Sequence, residues 1–185
     1  MRALLEQQRR EAPWSLGLTL LGLSRRLELS EAAVFEELGI LVREGKLELR
    51  NGYYAMSGFT PELTEHQRAF FDELFAARSG EAYLPVSCTR VVSAMKGVKI
   101  VGLPQAFDML HATGALIRVA DAFYRDTQIA RIRAELEALL SVERRVTPAR
   151  FRDLLGTSRK YAVPLLEWFD AVGVTVRNLK GERCE

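Results

Sequence analysis

One pattern recurs along this chain and leaves it few ways to fold. A helical stretch ends at a glycine and runs straight into two short strand-like runs, and this happens three times. In the first copy Ser30 stands as a cap before a helix in which Val34, Leu38, Leu41 and Val42 recur at spacings of three and four. Gly45 stops that helix, residues 46–50 alternate polar with apolar, Asn51-Gly52 turns, and residues 53–56 return. Asn-Gly between two such runs is a strong hairpin signal, because both turn residues tolerate a left-handed backbone.

The second copy opens at Thr64, the cap of a helix with Phe70, Phe71, Leu74 and Phe75 on its apolar face. A later helix over 105–112 carries Phe107, Leu110 and His111 and ends at Gly114, and a hairpin over 116–124 turns at Ala120-Asp121. The stretch 80–104 is the least regular. Its β-branched residues between 89 and 101 suit either strands or a short helix with a loop. The third copy starts with Ile129, Ile132, Leu136, Leu139 and Leu140 on one helical face. Thr147-Pro148, a cap followed by proline at the first helical position, starts a short helix through Phe151, Leu154 and Leu155 to Gly156. Thr157 or Ser158 then caps a helix with Ala162, Leu165, Leu166 and Phe169 facing inward, Gly173 ends it, and residues 174–184 read as a hairpin with an exposed basic tip.

Helix, helix, turn, helix and then a two-stranded wing is the winged-helix module. The expected fold is therefore mainly α with small antiparallel β-hairpins, in three tandem modules at 1–60, 61–126 and 127–185.

Several function classes fall away. The composition, 48% hydrophobic and 27% charged, is that of a globular protein, and no apolar run approaches the roughly 20 residues of a membrane span. Residues 1–10 lack the apolar centre of a signal peptide. Two cysteines, Cys88 and Cys184, make neither a disulfide framework nor a zinc site, which points to a reducing cytoplasm. His66 and His111 lie far apart and near no cysteine, and no nucleophile or paired-carboxylate pattern stands out, so neither a catalytic site nor a metal site is expected. No glycine-rich loop ending in Lys-Ser or Lys-Thr occurs.

Charge is uneven. Residues 1–60 hold eight basic and eight acidic residues, 61–126 hold seven and eight, and 127–185 hold eleven and eight. A polyanion is drawn to the last third. There the second helix of the helix-turn-helix begins with Thr157, Ser158, Arg159, Lys160 and Tyr161, at the end that such modules present to nucleic acid. Free N–H groups and the helix dipole favour phosphate at that end. Arg159 and Lys160 add charge, and Tyr161 offers a ring on which an unpaired base can stack. Arg150 and Arg152 lie on the preceding helix, and Arg177, Lys180 and Arg183 on the wing. Taken singly, each has a plainer reading, as a solvated helix start, a core tyrosine or a solvated wing tip; their coincidence with the charge excess carries the case.

The run Phe151-Arg152-Asp153-Leu154-Leu155-Gly156-Thr157-Ser158-Arg159-Lys160-Tyr161-Ala162-Val163-Pro164-Leu165-Leu166-Glu167, with Trp168-Phe169-Asp170 and Gly173-Val174-Thr175 after it, resembles the last winged helix of the bacterial selenocysteine-specific elongation factors, the SelB family. Residues 114–124 are similar to the wing of the preceding module in that family, and 1–60 resemble an earlier module in outline. The resemblance implies that this chain grips a messenger-RNA hairpin, the selenocysteine insertion element, for UGA recoding during translation. It implies contacts through Thr157, Ser158, Arg159, Lys160 and Tyr161, with wing residues helping. It implies a non-enzymatic, monomeric piece of a larger factor, whose N-terminal part would bind GTP, selenocysteinyl-tRNA and the ribosome; no cofactor is expected in this chain. Two departures stand out: Val176-Arg177 replaces the family's adjacent arginines, and residues 178–181 replace its Gly-Asp turn.

Two competing readings are a DNA-binding transcription factor and a tandem winged-helix scaffold for proteins. Against the first, the segment 30–44 carries Glu31, Glu36, Glu37 and Glu44 against only Arg43, which phosphates would repel. The second suits the less basic modules and leaves the basic third one unexplained.

Overall fold

The computed structural model describes residues 1–76, 83–178 and 181–184. In chain order the first repeat comprises helices α1 (Arg2–Glu11), α2 (Leu20–Leu27) and α3 (Glu31–Arg43) and strands β1 (Leu47–Arg50) and β2 (Tyr53–Met56). The second comprises α4 (Glu65–Leu74), β3 (Val86–Ser87), α5 (Cys88–Lys96), α6 (Leu103–Ala112), β4 (Leu116–Val119) and β5 (Ala122–Arg125). The third comprises α7 (Asp126–Glu143), α8 (Pro148–Leu154), α9 (Arg159–Ala171), β6 (Val176–Arg177) and β7 (Arg183–Cys184). These are tandem winged helices, mainly helical with small antiparallel sheets.

Local chemistry explains the starts and stops. Thr19, Ser30, Ser87 and Thr147 each accept a backbone N–H with their side-chain oxygen at the head of α2, α3, α5 and α8. Thr64 and Gln67 exchange the two bonds of a capping box at α4. The irregular stretch resolves into β3 and α5: Ser87 caps the helix, Val91 buries its inner face, and that packing overrides the β-branched composition. Residues 80–82 of that stretch lie outside the described residues.

A third strand completes each hairpin sheet, and the linear pattern did not announce it. β3 pairs with β5 in the second repeat. In the first and third, a single residue does the same, Leu18 bridging Tyr54 and Val146 bridging Arg183.

By contacts the chain divides into two compact units, Met1–Phe70 with Lys99–Thr113 and Phe71–Val98 with Gly114–Glu185. In the first unit, Leu5, Leu18, Leu23, Val34, Leu38, Leu47 and Tyr54 form one core. In the second, Val119, Ala122 and Tyr124 of the β4–β5 hairpin join a core with Ile132, Leu136, Phe151, Leu165, Leu166 and Phe169. The hairpin therefore shares one buried apolar cluster with α7, α8 and α9. Among the described residues no helix is long and apolar enough to cross a membrane.

Candidate nucleic-acid interface

The start of α9 differs from the other helix starts headed by serine or threonine. Ser158 is its N-cap, with an extended backbone, yet its hydroxyl makes no capping bond. No acidic residue occupies the first turn. The positive end of this helix is thus neither satisfied by its cap nor neutralised by a carboxylate. Pro164 lies inside the helix and has no N–H, so the Lys160 carbonyl lacks its intrahelical donor.

Arg159 and Lys160 are exposed. The Lys160 ammonium lies 5.5 Å from the centre of the Tyr161 ring. Tyr161 is half-buried, and with Lys160, Pro164, Ser87, Asp121 and Tyr124 it lines an open groove of about 190 Å³. Tyr124 is 1% exposed. Burial, and secondarily Tyr161, holds its phenol above the ordinary tyrosine range. Thr157 contributes a hydroxyl that is buried without a partner. The sequence did not show that the wing of the second repeat would meet the start of α9; the signal was the alternation of Val119, Ala122 and Tyr124, which reads only as a hairpin until the core is assembled.

The remaining basic residues divide. Arg150 Nε donates to Glu143 at 2.8 Å, and Arg152 Nε donates to Asp153 at 2.7 Å, so both cations of α8 face carboxylates. Arg177 is exposed on β6. Lys180 lies outside the described residues.

Arg183 requires a correction. The hairpin pattern predicts an exposed side chain there, but Arg183 is 2% exposed. Its Nε and Nη2 each lie 3.1 Å from Asp170 Oδ2, and its Nη1 donates to the Gly181 carbonyl at 3.1 Å. Asp170 near the end of α9 draws the guanidinium inward, where it ties the wing to the helix and has no free face for a ligand.

The α3 helix of the first repeat presents a different surface. Phe35 and Ile40 are 59% and 47% exposed there, among Glu31, Glu36 and Glu37.

Residues 138–179 match the family model described as elongation factor SelB, winged helix. This span includes all of α8 and α9 and the strand carrying Arg177. The chain is similar to the C-terminal winged-helix region of SelB. Over 142 residues it is 28% identical to a selenocysteine-specific elongation factor of Desulfomicrobium baculatum, covering 74% of this chain and 22% of that relative. The crystal structure of a bacterial selenocysteine-specific elongation factor, EF-Sec, superposes on 99% of this chain and 28% of its own, with a TM-score of 0.63 at 18% identity. The mRNA-binding domain of SelB from E. coli, solved in complex with SECIS RNA, superposes on 66% of this chain and 98% of its own, with a TM-score of 0.51 at 23% identity. This chain therefore spans under a third of the SelB relative and of EF-Sec, and the structural likenesses carry the fold.

Proposed function

We propose that this chain binds a selenocysteine insertion hairpin of messenger RNA and so recruits a selenocysteine-specific elongation factor for UGA recoding. The observation that carries the reading is the start of α9, an exposed Arg159-Lys160 pair on an uncapped helix end beside Tyr161, within the span matched by the SelB winged-helix model. An open helix end binds phosphate, and the tyrosine ring suits an unpaired base. Thr157, Ser158, Arg159, Lys160 and Tyr161 are the proposed contact set, with Arg177 and Lys180 as wing contacts. Arg150 and Arg152 contribute only by exchanging their carboxylate partners for phosphate. The chain is not an enzyme on this reading; GTP, the ribosome and selenocysteinyl-tRNA belong to the rest of the full factor. The setting is cytoplasmic and the chain monomeric.

The test is a titration at moderate salt against three ligands: a small RNA stem-loop with unpaired apical bases, the same stem with a fully paired tip, and a DNA duplex of similar charge. The expected result is tight binding to the looped RNA alone. Preference for the duplex DNA would replace this reading with a transcription factor, and equal weak binding to all three would leave only nonspecific electrostatics.

A further inference from the structure

Two cations beside the wing belong neither to α8 nor to the recognition helix. α7 ends at Arg144, whose amide donates to the Leu140 carbonyl at 2.8 Å and whose φ of 58° lies in the left-handed region. Glycine is the ordinary occupant of that conformation at a helix end, because any side chain there is strained. Glycine fills it just after α3, α6 and α9, at Gly45, Gly114 and Gly173. Two described helices place a charged residue there instead, Glu28 after α2 and Arg144 after α7.

Arg144 and Arg145 then lead directly into Val146, which exchanges both backbone hydrogen bonds with Arg183 at 2.9 Å. The third sheet thus runs Val146, β7, β6, with the arginine pair leading into one outer strand and Arg177 on the other. Both arginines are exposed. Arg144 has no ion-pair partner among the described residues. Arg145 reaches Glu182 only at 3.7 Å, and its side chain is 65% exposed, a geometry in which a surface pair holds its partner weakly. The other nearby carboxylate, Glu143, is held by Arg150. Arg144 thus stands unpaired among the described residues and Arg145 weakly paired, side by side at the entry to the outer strand, with Arg144 in a backbone conformation that is strained for any side chain.

We propose that Arg144 and Arg145 form a second phosphate-gripping edge, which holds the sugar–phosphate backbone of the RNA stem at the outer strand of the wing while the start of α9 meets the apex. The inference rests on the RNA-binding reading above. Each arginine that neutralises a phosphate releases counterions and steepens the salt dependence of binding.

The experiment measures binding of the looped RNA across a salt series for the unaltered chain and for Arg144→Gly, Arg144→Lys, Arg145→Ala and Arg159→Ala, with thermal melting of each. Arg144→Gly is expected to raise the melting temperature, by releasing the strained backbone, and yet to weaken RNA binding about three- to ten-fold at moderate salt, lowering the salt slope by roughly 0.7–0.9. Arg145→Ala should lower the slope by a similar amount, and Arg144→Lys should keep it. If the unaltered chain and Arg159→Ala behave as the RNA reading requires but the Arg144→Gly and Arg145→Ala slopes match the unaltered chain, the second edge alone is overturned. If the unaltered chain does not prefer the looped RNA, both proposals fall together.

Discussion

Asp170 and Arg183 are bound through a shared carboxylate oxygen, Oδ2, which lies 3.1 Å from both Nε and Nη2 of the guanidinium. The other oxygen, Oδ1, accepts from Thr175 Oγ1 at 2.6 Å. One carboxylate near the end of α9 thus fixes both the turn into the wing and the last strand of it. Removing Arg183 leaves the Asp170 carboxylate, whose side chain is 22% exposed, without its cation. Arg183→Ala is expected to cost about 1–3 kcal/mol, whereas Arg177→Ala on the exposed strand should stay within about 0.5 kcal/mol. Urea unfolding of the two variants measures the contrast, and equal costs would show that the inward geometry of Arg183 contributes nothing.

Replacing Arg159 and Lys160 together with alanine should weaken RNA-hairpin binding and reduce the salt slope by about one to two ion equivalents. Both side chains are exposed, so the unfolding midpoint should barely move. A salt slope unaltered in the double variant removes the start of α9 from the binding site.

Gly102 heads α6 with a φ of 68°, and a Cβ placed there would stand 2.1 Å from the Trp14 ring. The substitution Gly102→Ala therefore combines backbone strain with a clash against a bulky side chain that is itself buried. The expected loss is about 2–4 kcal/mol, read by thermal or chemical unfolding. A neutral result would mean that the ring moves aside freely.

Tyr124 titrates above the ordinary tyrosine range because burial disfavours its phenolate. A folded-state pKa raised above the unfolded one gives a stability contribution that is complete below about pH 10 and is lost as pH rises toward the folded value. Tyr124→Phe should accordingly lose less stability than the unaltered chain between pH 8 and pH 11, as measured by urea midpoints. Identical losses would assign the alkaline sensitivity to other groups.

The hairpins and the helices directly ahead of them were legible because their signals are local, whereas α1 and α2 carry no pattern that the sequence reading used. Ser30, Thr64 and Thr147 act as caps where the sequence places them, and Gly45, Gly114 and Gly173 end helices as expected. The stretch after residue 82 was not legible, since β-branched residues favour strands by propensity while Val91 makes a helix of them by burial. Among the candidate site residues, Arg159, Lys160 and Tyr161 lie at the start of a helix as read, Arg150 and Arg152 face carboxylates, and Arg183 is inside.

By itself the sequence determined the glycine-stopped helix ahead of each hairpin, the three hairpins and the concentration of positive charge in the last third, because periodicity, caps and turns act over a few residues. Only the tertiary structure decided which of those charges face outward. A guanidinium points to solvent or to a buried carboxylate according to what lies across the fold from it: Asp170 is 13 residues before Arg183, and the sheet that brings Val146 to Arg183 spans 37 positions. No local pattern encodes such pairings, since they exist only once the core has set the separations.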